Sequence, residues 1–316
     1  MADSIKPYYD PILDKIRSID QDSDGLATYD PFLEQLRMKD KGDGFVVDAL
    51  LGKIRLGSKL NLNEPEVDVY IDGLTTPLSV GQITKLNKFV KDLKSGLEIS
   101  NLSDAFDVIR IHANETAESA LRNIVKRAND ATAVNSPTFT AFEGFAGNGT
   151  SSRISSNYTP SSDAINYQQN NASILFYLRT NNKNSLTVFG VNDGSNKWVY
   201  FNFGVINYSR INDNSSANTI TVPDTLGMFA LIRSGASQGR IIRNKSVNAT
   251  FTITSTGLPT KQVFELCYNN NGTGSEYDIK QNAFICYGRA FSDTEIAIIT
   301  DAFEAYMDSN GKGVIA

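Results

Sequence analysis

Hydrophobic and polar positions follow two different periods along the chain. Up to residue 134 the apolar residues recur at helical spacing, as in Ile83, Leu86, Phe89 and Leu93, a face that Gly96 ends. After residues 135–137 short alternating segments recur about every ten residues, the spacing of strands in a sandwich or barrel. Strands are predicted at residues 139–145, 173–179, 185–191, 197–209, 227–234, 251–255, 262–268 and 282–290. The pattern predicts an α+β chain in which a helical N-terminal region precedes an all-β domain.

Two of the predicted helices begin with a capping signal. Ser79 is followed three residues later by Gln82, and Ser292 is followed by Glu295, so a hydroxyl and a longer polar side chain can exchange hydrogen bonds with the first turn. The first signal starts the helix that ends at Gly96. The second starts a helix that closes the chain.

A nine-residue motif occurs three times in the first sixty residues. It spans residues 9–17, 29–37 and, more loosely, 47–55, and each copy reads as a short helix that needs a partner surface. This arrangement predicts attachment to an assembly. The residues assigned to attachment are Asp10, Pro11, Leu13, Arg17, Asp30, Pro31, Leu33, Arg37, Asp48, Leu51 and Arg55.

The connector between the first two copies resembles the start of a calcium loop. Asp20, Asp22 and Asp24 alternate before Gly25, but the twelfth position, where a bidentate glutamate is needed, is Pro31. Calcium is therefore the single cofactor candidate, and the alternative is a solvated turn that binds no ion.

The segment between the repeats and the strands is predicted to contain an extended arm and further helices. Residues 67–73 alternate like a short strand, and helices are expected from about Ser103 and over residues 116–126. They could form a bundle or an oligomeric stalk. The predicted domains are residues 1–60 for attachment, 61–134 for oligomerisation, and 135–316 for the β domain.

Charge separates the same regions. The chain of 316 residues has a net charge of −5, all of it carried by residues 1–130. Nucleic-acid binding is not expected of this charge balance.

The sequence has neither a membrane-length apolar run nor the features of a signal peptide at its start, so synthesis in a cytoplasm is expected. Cys267 and Cys286 are expected to be buried free thiols, with a disulfide as the alternative.

Three segments of the β region resemble a known family. Residues 142–152, 229–233 and 288–296, the last reading Gly-Arg-Ala-Phe-Ser-Asp-Thr-Glu-Ile, look like a laminin G-like, concanavalin A-type jelly roll over residues 135–316. Together with the N-terminal repeats, the whole chain resembles virion appendage proteins of tailed bacteriophages, such as head fibres, tail fibres and capsid decorations. The resemblance implies location in the virion, homo-oligomers such as trimers, contact with capsid or tail proteins, and recognition of a host-surface glycan.

Catalytic chemistry finds little support in the sequence. His112 is the single histidine, which excludes a Ser-His-Asp triad on the sandwich and a zinc site with two histidines. We expect His112 to be a surface or packing residue. Glu66, Asp68 and Asp72 superficially resemble the paired carboxylates of laminarinase-like glycosidases, but the last acid is displaced and the segment precedes the sandwich.

The best binding candidates lie on the predicted strand at residues 197–209. Alternation places Trp198, Tyr200 and Asn202 on one face and the apolar residues between them on the other, so the first set could bind a carbohydrate. Packing of the second sheet is the other role for these aromatics, and it is the usual one for aromatic residues on a strand. The sequence thus favours a non-enzymatic structural virion protein, with a soluble lectin-like module and a glycoside hydrolase as alternatives.

Overall fold

The structure is a computed structural model in which the chain divides into two compact units, Met1–Asn61 and Leu62–Ala316. It describes four short strands before residue 57, and then residues 64–203, 207–214 and 218–315. The first unit contains β1 (Leu26–Ala27), β2 (Met38–Lys39), β3 (Phe45–Asp48) and β4 (Lys53–Leu56). Strands β1 and β2 pair, as do β3 and β4, both antiparallel.

The third copy of the motif is a β-hairpin, and its prediction as a helix was wrong. Val47 pairs with Ile54 and Asp48 with Lys53, which places Asp48 and Arg55 on neighbouring strands. Adjacent β-branched residues favour strands over helices, since they lose rotamer freedom in a helix. The first two copies, and the Asp20, Asp22 and Asp24 connector, lie outside the described residues.

The second unit contains five helices among its described residues and seventeen strands. The helices are α1 (Pro65–Ile71), α2 (Val80–Gly96), α3 (Ala117–Ala120), α4 (Pro160–Asp163) and α5 (Asp293–Ser309). The strands are β5 (Phe106–Ile111), β6 (Thr132–Val134), β7 (Thr138–Thr140), β8 (Gly144–Ala146), β9 (Arg153–Ser155), β10 (Ala172–Leu178), β11 (Leu186–Asn192), β12 (Trp198–Phe203), β13 (Asn207–Asp213), β14 (Asn218–Ile220), β15 (Gly227–Arg233), β16 (Gln238–Arg243), β17 (Ser246–Thr252), β18 (Phe264–Glu265), β19 (Tyr268–Asn270), β20 (Thr273–Ser275) and β21 (Gln281–Gly288).

These strands form the two sheets of a jelly-roll β-sandwich, as predicted. The first sheet has the order β17-β16-β15-β10-β21-β8-β7, and β5 also pairs with β21. The second sheet has the order β14-β13-β12-β11-β18-β9-β6, and the small hairpin of β19 and β20 joins it through β11. The β11–β19 pairing is parallel, whereas the neighbouring β11–β12 and β12–β13 pairings are antiparallel.

The first sheet is buried on both faces. One face packs on the second sheet through a phenylalanine-rich core, and the other packs on the helices. The inter-sheet core includes Phe176, Phe189, Phe201, Phe203 and Phe229. The helix-side core includes Phe89, Phe284, Phe303, Tyr306 and Met307. Burial on both faces explains why β10 and β15 are almost continuous apolar runs.

Both predicted caps are present in the structure. The Ser79 hydroxyl accepts a hydrogen bond from the Gln82 backbone N–H at the start of α2. Ser292 and Glu295 form a reciprocal capping box at the start of α5. Helices α2 and α5 pack together over the first sheet, so the chain-closing helix and the earlier helix belong to one layer.

Three predictions of secondary structure for residues 61–134 differ from the structure. Residues 65–71 form α1, not a strand, because Val67 and Tyr70 bury one helical face and Pro65 occupies the first turn. The segment from Ser103 forms a short 3-10 turn and then strand β5, not a helix, and only four residues of 116–126 form α3. The chain divides after Asn61, and residue 135 lies inside the second unit.

Cys267 and Cys286 are buried free thiols, as expected. Burial raises the pKa of the Cys267 thiol to about 12, and it also raises that of Cys286. In the part of the chain that the structure describes, no helix is both long and apolar enough to cross a membrane.

Candidate functional site

The alternation predicted for β12 is present. Val199, Phe201 and Phe203 are fully buried in the inter-sheet core, so Trp198, Tyr200 and Asn202 lie on the outer face of the second sheet. The core residues fix the strand against the first sheet. The strand therefore holds three candidate residues on a rigid support.

Two tyrosines join Trp198 on this face. The Trp198 and Tyr268 rings are stacked with centroids 6.2 Å apart, and the Tyr200 ring meets Tyr268 edge-on at 5.5 Å. Gly190 on β11 makes room for this packing, since a Cβ there would lie 3.0 Å from Tyr268 Cβ and 3.1 Å from Tyr200 Cδ2. We call Trp198, Tyr200 and Tyr268 the aromatic patch.

An arginine covers part of the patch. The Arg210 guanidinium on β13 lies 4.0 Å from the centroid of the Trp198 ring and 6.0 Å from that of Tyr200, which is cation–π geometry. Burial lowers the pKa of Arg210, and the nearby Asp213 carboxylate acts in the opposite direction. The patch therefore combines aromatic surface with a fixed cation.

A carboxylate completes the group. Glu276 accepts hydrogen bonds from the Tyr200 hydroxyl and from Thr187 Oγ1, the latter at 2.7 Å. Burial and this carboxylate raise the pKa of Tyr200, so its hydroxyl remains a donor at neutral pH. Glu276 has a positive φ of 50°, and the Thr187 N–H holds its carbonyl at 3.1 Å. Such a backbone conformation is costly for a non-glycine residue and persists only when its surroundings enforce it.

The members of this group differ in accessibility. Tyr200 and Asn202 are only 7% and 5% exposed, so they mainly support the others. Trp198, Tyr268 and Arg210 are half-buried, and Glu276 is exposed. The Asn192 side chain donates to Asn270 Oδ1 at 3.2 Å beside the patch. A ligand would therefore meet aromatic edges, two amides, a guanidinium and a carboxylate.

Three of these residues were not predicted from the sequence. Arg210 reaches the patch because β13 pairs directly with β12, and Tyr268 reaches it because β19 pairs with β11. Glu276 follows β20, which pairs with β19. Tyr268 is followed by an Asn-rich turn at residues 269–272. This turn predicted a loop after Tyr268, but it did not predict that Tyr268 lies beside Trp198. Single-strand alternation finds one strand of such a face and cannot identify the strands beside it.

A polar cleft lies beyond β19. It has a volume of about 380 Å³ and is lined by Asn157, Thr159, Thr260, Lys261, Gln262, Phe264, Asn269 and Gly272. Asn269 is the chain neighbour of Tyr268 but faces inward, so the cleft and the patch use opposite sides of the same short strand.

The acidic residues Glu66, Asp68 and Asp72, which resembled the catalytic strand of a glycosidase, do not lie on a strand. Glu66 and Asp68 lie on α1, where Glu66 binds Lys94 at 3.1 Å and accepts the Leu102 N–H, and Asp72 caps the end of that helix. Within residues 64–203, 207–214 and 218–315, no group of three or more His, Cys, Asp and Glu side chains could hold a metal ion.

His112 is a buried packing residue with a partner that the sequence did not reveal. Its Nε2 lies 2.7 Å from Glu265 Oε2, and its Nδ1 lies 2.8 Å from the Ala120 carbonyl oxygen. Glu265 also binds Arg110 at 2.9 Å, and all three side chains are fully buried. This triad joins β5 to β18 and is remote from solvent, so it stabilises the fold.

No protein-family model matches the chain, and no curated protein matches it significantly. Among solved structures, the chain is similar to a Trypanosoma rangeli sialidase in complex with 2,3-difluorosialic acid, with 9% identity and a TM-score of 0.47. That match covers 71% of this chain and 39% of the sialidase, so this chain spans well under half of that protein.

Two smaller domains are also similar. The CBM40 domain of the Ruminococcus gnavus IT-sialidase, bound to α2,3-sialyllactose, matches with 16% identity and a TM-score of 0.34, over 42% of this chain and 83% of that domain. Domain 4 of AbnA, a GH43 extracellular arabinanase from Geobacillus stearothermophilus, in complex with arabinotriose, matches with 12% identity and a TM-score of 0.38. This match covers 61% of this chain and 99% of that domain. With TM-scores below 0.5, none of these likenesses carries a functional argument for this chain.

Proposed function

We propose that the chain is a non-catalytic carbohydrate-binding protein whose binding surface is the aromatic patch with Arg210 and Glu276. The observation that carries this proposal is the convergence of aromatic rings, a guanidinium and a carboxylate on the outer face of a rigid sheet. Hydrophobic core formation does not require charged groups on that face, because the core lies on the opposite side of β12.

A sugar fits this surface chemically. The C–H faces of a pyranose ring pack on aromatic rings, and its hydroxyls accept from guanidinium and amide N–H groups and donate to a carboxylate. Trp198 and Tyr268 supply the rings, Arg210 and the Asn192–Asn270 pair supply donors, and Glu276 supplies an acceptor. The groups are already held by mutual contacts, so little side-chain entropy is lost when a ligand binds.

Glycan cleavage is the less favoured function. Glycosidases place two carboxyl groups on either side of the scissile bond, one as acid and the other as base or nucleophile. The carboxylate at the patch, Glu276, is engaged by the hydroxyls of Tyr200 and Thr187. Binding without turnover is the function that this arrangement favours.

We further propose that the first unit attaches the chain to a virion. The triple motif and the division of the chain at Asn61 support a separate attachment unit. In this proposal the first unit contacts capsid or tail proteins, and copies of the chain associate as oligomers such as trimers. Immunogold electron microscopy with an antibody against residues 135–316 tests the location. Regular labelling of particles supports it, and unlabelled particles beside free protein contradict it.

Glycan binding is tested by applying the full chain to a glycan array and then measuring affinities calorimetrically. Trp198→Ala and Tyr268→Ala should each weaken binding about tenfold or more, as expected for central aromatic contacts. Phe139→Ala is a matched control, because Phe139 is a partly buried aromatic residue on β7 of the other sheet. Equal affinity for all four proteins would contradict the assignment of the patch.

A further inference from the structure

A fully buried lysine lies between a carboxylate and a side-chain amide at one end of the sandwich. Lys280, just before β21, places Nζ 3.0 Å from Asp278 Oδ1 and 3.2 Å from Oδ2. The same Nζ contacts Oδ1 of Asn184, which precedes β11. Because β21 belongs to the first sheet and β11 to the second, this contact joins the two sheets.

The surroundings of this lysine are apolar. Both Lys280 and Asp278 are fully buried, and Nζ lies 5.5 Å from the centroid of the Phe203 ring. Burial lowers the pKa of Lys280, and the Asp278 carboxylate only partly offsets it. A buried ion pair of this kind can become neutral when the proton passes to the carboxylate, since low polarity disfavours both charges.

The carboxylate is held in place independently of the lysine side chain. Asp278 Oδ1 accepts the Ile279 N–H at 2.7 Å and the Lys280 N–H at 3.2 Å. The amide carbon of Asn184 is bonded to the oxygen that Nζ contacts, about 1.2 Å from it, so the amine and the amide carbon are separated by one contact and one bond. Amine, amide carbon and proton acceptor are therefore positioned together.

We propose that Lys280 Nζ and the Asn184 side chain form an intramolecular isopeptide bond, with Asp278 transferring the proton. This is a covalent modification site separate from the aromatic patch. The buried ion pair without any reaction is the competing account.

The reaction balances without a co-reactant. Asp278 accepts the proton of the Lys280 ammonium, and the neutral amine attacks Cγ of Asn184 to form a new C–N bond. Asp278 delivers that proton to the Asn184 amide nitrogen and takes the second proton from the attacking nitrogen, so the original C–N bond breaks and one ammonia leaves. The ammonia then carries the second proton away as ammonium, which returns Asp278 to its carboxylate form. Asn184 is half-buried, so the ammonia has a short path to solvent. One amide replaces another, and nothing is oxidised or reduced.

The bond would restrain the unfolded chain. It closes a covalent loop over residues 185–279, which includes the central strands of both sheets. A crosslink that closes a long loop lowers the conformational entropy of the unfolded chain, which raises the free energy of unfolding. The crosslinked chain should therefore resist heat and denaturant.

Mass spectrometry tests the proposal on the purified full chain. The intact mass should be lower than the mass calculated from the sequence by about 17 Da, one ammonia. Digestion should give a branched peptide that joins residues 184 and 280, with no cleavage after Lys280. Lys280→Arg and Asn184→Ala should abolish both signals, whereas Lys183→Arg, a control at the neighbouring position, should keep them.

Other outcomes overturn the proposal. The full calculated mass, unchanged after prolonged incubation, shows an unreacted ion pair. Loss of ammonia that persists in Lys280→Arg shows a cyclic imide at an asparagine instead. The branched peptide is sought in the wild-type chain, so the test holds even where a variant does not fold.

Discussion

Replacement of Glu265 by glutamine should destabilise the second unit strongly. Glu265 is fully buried and accepts from Arg110 Nη1 at 2.9 Å and from His112 Nε2 at 2.7 Å. The other His112 nitrogen lies 2.8 Å from the Ala120 carbonyl oxygen, so contacts at both nitrogens hold the ring in place. Glutamine keeps the size of the side chain but removes the negative charge that faces the buried Arg110 guanidinium.

The magnitude follows from the burial of the triad. Loss of one partner from a buried ion pair costs about 3–5 kcal/mol, because the remaining charge stays desolvated. Arg110 would keep only neutral partners, the carbonyl oxygens of Asn129 and Ser156, and its Nε already lacks a hydrogen bond. For a domain of this size each kcal/mol corresponds to about 2–4 °C, so the midpoint of thermal unfolding should fall by roughly 6–20 °C.

Urea unfolding followed by tryptophan fluorescence measures this loss directly. Trp198 is the sole tryptophan and lies in the second unit, so its emission reports on the sandwich. Asp92→Asn is the matched control, since Asp92 pairs with Lys88 on an exposed helical face, and such pairs contribute about 0.3–0.5 kcal/mol. If Glu265→Gln costs no more than Asp92→Asn, the triad does not stabilise the fold and the reasoning fails.

Three further predictions concern pH, packing and capping. Burial alone would raise the pKa of the Glu265 carboxyl, but the neighbouring His112 and Arg110 have the larger combined effect and hold that pKa below its usual value. The triad therefore adds to the free energy of unfolding above about pH 4.3, and this addition is lost as the pH falls further. The difference in free energy of unfolding between wild type and Glu265→Gln should become smaller in acid. Urea titrations at several pH values will measure it. Gly190→Ala should lower the free energy of unfolding by about 1–3 kcal/mol, because the new Cβ would lie 2.9 Å from a backbone carbonyl oxygen of β12. The same displacement should weaken glycan binding, which calorimetric affinities will check. Ser292→Ala removes the first-turn cap of α5 and should cost about 1 kcal/mol by urea unfolding, and a cost near zero would show that the capping box contributes nothing.

Local signals predicted those elements whose stability depends on nearby residues. Helices α2 and α5 were predicted from a cap and an apolar face, and β12 was predicted from alternation, including the face on which Trp198 lies. These signals are read within a few residues of the chain. They correctly placed α2 before the sandwich and α5 after it.

The errors arose where distant residues determine the local structure. Strand β5 contains the buried polar residues Asp107 and Arg110, whose partners lie in other parts of the chain, such as Tyr158 and Glu265. Without those partners its apolar spacing fits a helix as well as a strand. The hairpin of β3 and β4 was missed because the resemblance to the first two copies outweighed its β-branched residues.

The candidate site shows the same division. Trp198, Tyr200 and Asn202 share one strand, so their common face could be predicted. Tyr268 reaches them through a parallel pairing with Gly190 across a long sequence separation. Such pairings depend on the whole sheet and leave no local pattern.

Fluorescence titration of Trp198 with glycans tests the central claim most directly. The sole tryptophan lies in the proposed binding surface, half-buried beneath Arg210, so a bound sugar must change its environment. A glycan that binds in the array should shift Trp198 emission with saturation at the calorimetric affinity, and Tyr268→Ala should weaken both signals together. A glycan that binds by calorimetry while Trp198 emission stays constant would place the binding site elsewhere and contradict the account.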